Sequence, residues 1–260
     1  MRDVTYPAII VTAKAAFRAL GQRIHLSGTE HVPREGGVLL ACNHVSYVDF
    51  VYGGLAANPS GRLVRFMAKR EVFDHPVAGP VMRSMHHIEV DRGDGVASFR
   101  TAVDRLREGE AVGIFPEATI SRAMELKEFK TGAVRIAATA GVPVVPVILW
   151  GTQRMMTKDR PRDFSRGRSI VIKVGEPLHP TGADPVAETA TLHARMSQLL
   201  GEAVREYPAD EQPPGSWWVP ASMGGSAPTL EEAARLDAEE MRARARRRAE
   251  RAAAKRQGNK

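Results

Sequence analysis

The stretch VLLACNHVSYVD, residues 38–49, joins five apolar residues to a short polar turn and then to a segment of helical character. The apolar run predicts a buried strand that leads through the turn into a helix. Comparable patterns recur along the chain, with strand-like runs at 63–68, 88–90, 111–115, 142–150 and 169–174 and helical patterns at 96–106, 134–140 and 186–206. Alternating strands and helices predict an α/β fold, in which a central mixed, largely parallel sheet is flanked by helices in a single domain.

His44 and Asp49 lie five residues apart in this stretch. In one continuous helix their side chains would point about 140° apart, so we expect His44 at the strand end and Asp49 in the first helical turn, where the two can meet. A neutral imidazole can take a proton from a hydroxyl, and a carboxylate on its other nitrogen fixes the tautomer and stabilises the imidazolium. The pair is therefore predicted to be a general base and its partner, and Asp49→Asn is expected to cut turnover through the wrong tautomer.

Ser46 and Asp49 also fit a helix capping box, with Ser46 as the N-cap and Asp49 three residues later. Taken alone, these residues favour the cap over the catalytic pair. The two roles are compatible, because a carboxylate can accept backbone amides with one oxygen and an imidazole with the other. Residues elsewhere in the chain must decide between them.

The single cysteine of the 260 residues, Cys42, excludes an internal disulfide and fits a reducing compartment. A Cys/His nucleophile formed with His44 is conceivable, but Cys42 closes an apolar strand, where a small buried hydrophobic residue is expected. No stretch approaches the roughly 18 to 20 apolar residues of a membrane-spanning helix, and no signal-peptide pattern is expected at the N-terminus.

The two ends of the chain have compositions of their own, and we predict an N-terminal amphipathic helix in residues 1–27, a catalytic domain at 28–212, and a strap with a basic helical tail at 213–260. The N-terminal helix could contact a membrane or pack on its own domain, and the sequence leaves both open. Its apolar residues at helical spacing are Tyr6, Ile9, Ile10, Ala13, Phe17, Leu20 and Ile24, with Lys14 and Arg18 on another face.

The tail accounts for most of the formal charge of +7, since residues 229–260 hold ten Lys and Arg against six Asp and Glu. Acidic residues precede basic ones, as the helix dipole favours. A solvated helix is the preferred interpretation, attraction to anionic lipid is second, and nucleic-acid binding is not expected.

Within the main domain, Pro143 and Pro146 place their run at a strand start or at a sheet edge, because proline cannot donate to a ladder.

Basic residues follow two other predicted strands. Lys69 and Arg70 follow the run at 63–68. Arg92 lies just after the run at 88–90, where its guanidinium could bind a phosphate. Each is weak evidence alone, because charges often mark a strand exit. The neighbouring pair His86 and His87 suggests metal binding, but no third ligand stands at suitable spacing and no metal site is predicted.

A third block, FPEATIS at residues 115–121, makes the pattern specific. The chain contains four blocks in order: His-x-x-x-x-Asp, a basic strand end, Phe-Pro-Glu-x-Thr and Val-Pro-Val-Val-Pro-Val. This order resembles the four blocks of the glycerolipid acyltransferase family. The likeness runs from Leu39 to Gly151, with looser agreement to Tyr207. The resemblance implies transfer of a fatty acyl group from acyl-CoA or acyl carrier protein to the free hydroxyl of lysophosphatidic acid, with no cofactor, by a peripheral protein at the cytoplasmic face of the cell membrane.

The resemblance also implies roles for individual residues. His44 is the base, Asp49 is its partner, and there is no acyl-enzyme; the chain has no Gly-x-Ser-x-Gly motif for a serine nucleophile. The residues implied to bind substrate are Lys69 and Arg92 near the anionic group, and Glu117, Thr119, Ser121 and Arg122 around the acceptor.

The third block departs from the family pattern at two positions, because Ala118 replaces a glycine and Ile120 replaces an arginine. Losing that guanidinium removes a phosphate contact worth about 1.5 to 3 kcal/mol. Arg122 is the nearest substitute, and we predict that it reaches the phosphate. The departure also keeps open a different acceptor, such as a glycolipid or another lysophospholipid. An inactive membrane-associated scaffold is the less favoured alternative, since His44 and Asp49 are both present.

Overall fold

The structure, a computed structural model, describes residues 5–91 and 95–257. Seven strands form one sheet in the order β1-β7-β6-β2-β5-β3-β4. Only the β6–β7 pairing is antiparallel among the described pairs, so the predicted mixed, largely parallel sheet is confirmed. The strands are β1 (Arg23–Ser27), β2 (Val38–Cys42), β3 (Val64–Lys69), β4 (Ile88–Val90), β5 (Ala111–Ile114), β6 (Val144–Trp150) and β7 (Ser169–Val174).

Helices cover both faces of the sheet. Helix α2 contacts β3, β5, β6 and β7 on the face that carries Leu40 and Val147, whereas α5, α6 and α7 contact strands from the opposite face, which carries Leu39 and Ile148. The helices are α1 (Thr5–Ala19), α2 (Asp49–Ala57), α3 (Arg70–Phe73), α4 (Ala78–Ser84), α5 (Gly95–Arg107), α6 (Gly132–Ala140), α7 (Pro185–Glu206) and α8 (Leu230–Gln257). None of the described helices has both the length and the apolarity needed to span a membrane.

The chain forms two compact units, Met1–Ile120 with Leu126–Pro213, and Ser121–Glu125 with Pro214–Lys260. The first unit contains the whole sheet. The second contains α8, which begins with a capping box: the Thr229 backbone N–H donates to Glu232 Oε2 at 2.8 Å, and the Glu232 N–H donates to Thr229 Oγ1 at 3.2 Å. A capping box fixes where this long charged helix begins.

Helix α1 is shorter than the helical spacing to Ile24 indicates. It ends at Ala19 because Gly21, with φ of 57°, adopts the left-handed conformation that stops a helix. The Gln22 N–H donates to Phe17 O and the Gly21 N–H to Arg18 O, which is a Schellman motif. Ile24 therefore lies in β1, a strand that the apolar pattern does not predict.

Helix α1 packs on its own unit through its buried face. The Tyr6 hydroxyl donates to Val64 O at 2.7 Å, and the ring of Phe17 stacks on Tyr52 at 4.9 Å. Its outward face includes Val11, which is 68% exposed. Packing on the domain is thus observed, while a membrane contact of the outward face stays a prediction.

The two prolines of the fourth block stand at the start of β6 rather than at a sheet edge. Strand β6 lies between β2 and β7, and Pro143 precedes its first residue. Pro146 is tolerated inside the sheet because β7 pairing begins only at Val147, while Pro146 O accepts the Gly175 N–H at 2.8 Å beyond the end of β7.

Candidate active site

The candidate active site lies at the carboxyl edge of the parallel strands. His44 follows β2, Lys69 ends β3, Glu117 follows β5 and Thr152 follows β6. Because these strands run parallel to one another, their carboxyl ends meet at one edge of the sheet. Arg92, predicted to lie by the acceptor phosphate, falls outside the described residues; β4, which precedes it, is parallel to β3 and ends at the same edge.

His44 and Asp49 are in contact, as their spacing predicts. His44 Nδ1 lies 3.0 Å from Asp49 Oδ2, with His44 on the loop after β2 and Asp49 at the first residue of α2. The imidazole stacks on the ring of Phe115, with centroids 4.2 Å apart. A carboxylate accepts from Nδ1–H, so Nε2 carries the lone pair and is the nitrogen left to act as a base.

Four donors hold the Asp49 carboxylate, which is fully buried. Besides the imidazole, Oδ2 accepts the backbone N–H groups of Val45 and Ser46, both at 2.7 Å, and Oδ1 accepts the Thr152 hydroxyl at 2.6 Å. The imidazole and the amides therefore share one oxygen, contrary to the division expected from the sequence. With this many donors, the carboxylate is held in one orientation.

The predicted capping box forms only in its carboxylate half. Asp49 reaches back to the Ser46 N–H, but the helix begins at Asp49 with Val48 as its N-cap. The Ser46 hydroxyl accepts the Val48 N–H at 3.3 Å rather than the amide of Asp49, and it donates to Met156 O at 2.7 Å. The hydroxyl therefore combines a local hydrogen bond with a tertiary contact to another loop.

That other loop, residues 152–158 after β6, holds the turn that carries His44. Met156 O accepts the Tyr47 N–H at 3.0 Å, and the Thr157 hydroxyl donates to Val45 O at 2.7 Å. Thr152 and Thr157 were missed by the sequence analysis, because a hydroxyl more than 100 residues away carries no local signal. Their contacts show that one segment distant in sequence fixes residues 43–49, called the base loop after the predicted role of His44.

Asn43 is a further positioning residue that the motif did not point to. Its amide exchanges two hydrogen bonds with the backbone of Leu149 in β6, donating to the O at 3.0 Å and accepting the N–H at 2.7 Å. A fully buried polar residue directly after a buried strand was the available signal. These bonds tie the start of the base loop to the sheet.

Glu117 is buried and supports the base loop from the other side. Its Oε1 accepts the backbone N–H of His44 at 2.8 Å, and its Oε2 accepts that of Lys127 at 3.1 Å. Burial raises the pKa of Glu117 from 4.5 to about 8, although the two amide bonds oppose the rise. The predicted acceptor contact of Glu117 stays a prediction, whereas its contact with the His44 backbone makes it a positioning residue.

The turn at residues 117–120, called the acceptor turn after its predicted role, carries both departures from the family pattern. Ala118 adopts a left-handed conformation with φ of 58°, which is favourable for glycine and strained for alanine. Ile120 is buried. Thr119 Oγ1 accepts a hydrogen bond from Lys158 Nζ at 3.1 Å, which brings a cation to this turn from the 152–158 loop.

Ser121 and Arg122 belong to the second unit. Ser121 is fully buried, and its hydroxyl has no hydrogen-bond partner within the described part of the chain. The Arg122 guanidinium pairs with Asp237 and, at 2.9 Å, with Glu240, both on α8. Their predicted roles in acceptor binding stay predictions, and a phosphate would have to compete with two carboxylates for Arg122.

The remaining predicted residues have simpler settings. Lys69 is half-buried at the N-terminus of α3, and Arg70 pairs with Glu89 at 2.7 Å. His87 is buried and accepts the Phe66 N–H at 2.9 Å through Nδ1, and burial lowers its pKa to about 4. Its ring is thus neutral at physiological pH. Among residues 5–91 and 95–257, no group of three or more His, Cys, Asp or Glu side chains is placed to hold a metal ion.

Cys42 is buried at the end of β2, in the core formed by the sheet and α2. Burial, together with the nearby Asp49 charge, raises the pKa of its thiol far above the ordinary range. A thiol held in this way is not an active nucleophile at neutral pH, so Cys42 acts as the small hydrophobic residue expected from the strand.

Comparisons with known proteins agree with the blocks of the sequence. The acyltransferase family model matches residues 23–150. A 1-acyl-sn-glycerol-3-phosphate acyltransferase of Bacillus subtilis is 33% identical over 178 residues, covering 68% of this chain and 84% of that protein. A chloroplastic 1-acyl-sn-glycerol-3-phosphate acyltransferase of Arabidopsis thaliana is 31% identical over 172 residues, 65% of this chain and 47% of that one.

A solved structure shares the fold. The crystal structure of the 1-acyl-sn-glycerophosphate (LPA) acyltransferase PlsC from Thermotoga maritima superimposes with a TM-score of 0.66 at 24% identity, covering 78% of this chain and 81% of that one. The sequence relatives and the shared fold lead to one conclusion: the chain belongs to the glycerolipid acyltransferase family.

Proposed function

We propose that this acyltransferase moves a fatty acyl group from a thioester to the free hydroxyl of lysophosphatidic acid and so makes phosphatidic acid. The observation that carries the proposal is the His44–Asp49 pair, in which a fully buried carboxylate with three further donors orients an imidazole at 3.0 Å. The relatives' names, which specify 1-acyl-sn-glycerol-3-phosphate, support this acceptor.

In the proposed reaction His44 acts directly on the substrate. Its Nε2 takes the proton of the acceptor hydroxyl while the hydroxyl oxygen attacks the thioester carbonyl carbon, forming the new C–O bond. The C–S bond then breaks, and the imidazolium returns the proton to the departing thiolate. The Asp49 carboxylate, bonded to Nδ1, stabilises the imidazolium between the two proton transfers.

The donor is an acyl thioester, either acyl-CoA or acyl carrier protein, and no cofactor is needed because the thioester is already activated. Around the acceptor, Lys69 and Arg92 are proposed to attract the phosphate, and Thr119 to contact the acceptor next to it. For Arg92 we expect a contribution to acceptor binding more than to the chemical step.

A second candidate acceptor is supported by Ile120. A buried isoleucine at the family's arginine position removes one charge-assisted phosphate contact, which favours a lyso-lipid whose head group is less charged, such as a glycolipid. The chemistry at His44 would be the same for either acceptor, so acceptor identity has to be measured separately from activity.

The substrate is a lipid, so we propose that the protein works as a peripheral protein at the cytoplasmic face of the cell membrane. The outward face of α1, with Lys14 and Arg18, is the proposed contact, since basic residues beside an apolar surface suit an anionic interface.

The decisive experiment is product analysis by mass spectrometry. Purified protein is incubated with mixed acyl-CoAs and, in separate reactions, with lysophosphatidic acid, other lysophospholipids or a lyso-glycolipid at equal concentration. Phosphatidic acid as the main product supports the proposal, and the acyl composition gives the chain-length preference. Acylation confined to an uncharged acceptor would replace lysophosphatidic acid with the second candidate. No acylation of any acceptor, either from acyl-CoA or from acyl carrier protein in parallel reactions, would contradict both.

A further inference from the structure

The acceptor turn of this chain needs a cation that position 120 does not supply. Ile120 is apolar and buried, and both oxygens of Glu117 already accept backbone amides. A phosphate with up to two negative charges binds weakly to a turn without a positive partner, because its desolvation is not compensated. A neighbouring segment that delivers a cation to this turn would restore the balance.

The 152–158 loop delivers such a cation. Lys158 is half-buried, and its Nζ donates to Thr119 Oγ1 at 3.1 Å. The preceding residue, Thr157, is bonded to Val45 O at 2.7 Å, directly after the base. Glu117, two residues before Thr119, bonds the amide of His44. Lys158 and the acceptor turn are therefore both anchored to the loop that carries the base.

We propose that Lys158 binds the phosphate of the lipid acceptor and takes over the charge of the arginine missing at position 120. This inference rests on the proposed function, because it requires an acceptor with a phosphate. An ammonium group acts as a point charge toward phosphate, and the adjacent Thr119 hydroxyl donates a second hydrogen bond to the same group.

Lys158 was not predicted from the sequence, because it lies 38 residues beyond Ile120 in an irregular loop. It competes with the sequence-based prediction for Arg122, whose guanidinium is held by Asp237 and Glu240 in the second unit. The roles of Lys158 and Arg122 can be tested separately, because only one of the two single variants should weaken acceptor binding strongly.

The test uses steady-state kinetics of the full-length chain with lysophosphatidic acid and one acyl-CoA, varied in turn. Lys158→Gln keeps a hydrogen-bond donor for Thr119 and removes the charge, and we expect the KM for lysophosphatidic acid to rise about 10- to 100-fold with kcat within about threefold of wild type. Lys158→Arg should restore a KM within about threefold of wild type. Lys173→Gln is the matched control, because it removes from strand β7 a cation that pairs with Glu202 and Glu206 of helix α7.

Acyl-CoA also carries phosphates that a lysine can bind. The KM for acyl-CoA, measured in the second titration, distinguishes binding of the donor from binding of the acceptor. A rise in the KM for acyl-CoA with an unchanged KM for lysophosphatidic acid would overturn the proposal, as would a variant that loses only thermal stability or kcat. If Lys158→Gln unfolds below the assay temperature, Lys158→Met, which keeps the length of the stem, replaces it. Wild-type protein that makes no phosphatidic acid from either acyl-CoA or acyl carrier protein refutes the proposed function itself, whereas active wild type with an unaffected Lys158→Gln refutes the role of Lys158 alone.

Discussion

The base loop and the acceptor turn lie at the same edge of the sheet but are built differently. In the base loop, His44 and Asp49 match the family pattern, and hydrogen bonds from the 152–158 loop and from Glu117 hold His44, Val45 and Asp49 in place. In the acceptor turn, two of the family's residues are replaced, and Ala118 adopts a conformation that suits glycine. The proposed base is thus held by several hydrogen bonds, whereas this chain differs from its family in the turn that is proposed to recognise the acceptor.

This contrast has a physical basis. A general base must meet the reacting hydroxyl within hydrogen-bond distance, so an error of a fraction of an ångström in its loop is costly. A phosphate can be bound by any well-placed cation, because charge attraction depends less on direction. One region can therefore tolerate substitution while its neighbour cannot.

The largest effect is expected from His44→Ala, which removes the base and leaves its positioning network in place. We expect kcat/KM to fall by about 10²- to 10⁴-fold with the fold intact. Thermal unfolding and circular dichroism of the same preparation check the fold, and His179→Ala, at an exposed histidine, is the control. Activity close to wild type in His44→Ala would refute direct base catalysis.

A smaller loss of activity is expected from Asp49→Asn, and the structure indicates a physical cause other than the wrong tautomer that the sequence predicts. Three donors converge on Oδ2, so the asparagine oxygen should occupy that position while its amide faces Thr152, whose hydroxyl can accept as well as donate. The correct tautomer is then kept and only the charge is lost, for which we expect kcat to fall about 10- to 100-fold. A loss as large as that of His44→Ala would show that the tautomer is lost as well.

Glu117→Gln tests the support of the base loop through stability. A glutamine side chain has one acceptor oxygen for two backbone amides, so the free energy of unfolding should fall by about 1 to 3 kcal/mol. Between pH 4.5 and about 8 the folded wild type keeps the Glu117 proton while the unfolded chain releases it, so wild-type stability declines as pH rises.

The stability of Glu117→Gln should not decline in this way. The difference in free energy of unfolding between wild type and variant should therefore be larger at pH 5.5 than at pH 7.5. Urea unfolding of both proteins at the two pH values measures it. A difference that is the same at both pH values would mean that Glu117 is already ionised in the folded protein at pH 5.5.

The smallest effect is expected from Ala118→Gly in the acceptor turn. Glycine removes the strain of a left-handed alanine but increases the entropy of the unfolded chain, so a net gain of about 0.5 to 1 kcal/mol and a Tm higher by about 1 to 4 °C are expected. Differential scanning calorimetry measures this shift, and Ala138→Gly, within helix α6, should destabilise and serves as the opposite control. A lower Tm in Ala118→Gly would show that the methyl group is needed.

Much of the sheet could be predicted because its central strands are continuous apolar runs. Runs such as Val38–Cys42 are buried along their whole length and stand out in the sequence. Strand β1 was missed because only one of its five residues, Ile24, is even partly buried, and this residue continues the apolar spacing of α1. An exposed edge strand carries little hydrophobic signal, and its pairing with β7 is set by the fold.

The site could be predicted only where its residues are close in sequence. The spacing of His44 and Asp49 implies their contact, since a strand end and the next helical turn are neighbours in any α/β fold. Thr152 and Lys158 reach the site through the register of β6 and the path of an irregular loop, neither of which is encoded by a local pattern. Long-range partners of a motif are therefore found from coordinates.

The burial of Cys42 has a practical consequence for measurement. It is the only cysteine of the chain, and its thiol is enclosed and protonated at neutral pH. Thiol-specific dyes should therefore react slowly with the native protein and rapidly with any cysteine introduced on its surface. A fluorophore attached through Val11→Cys, on the exposed face of α1, would report directly whether this helix enters a lipid interface, with no background mutation required.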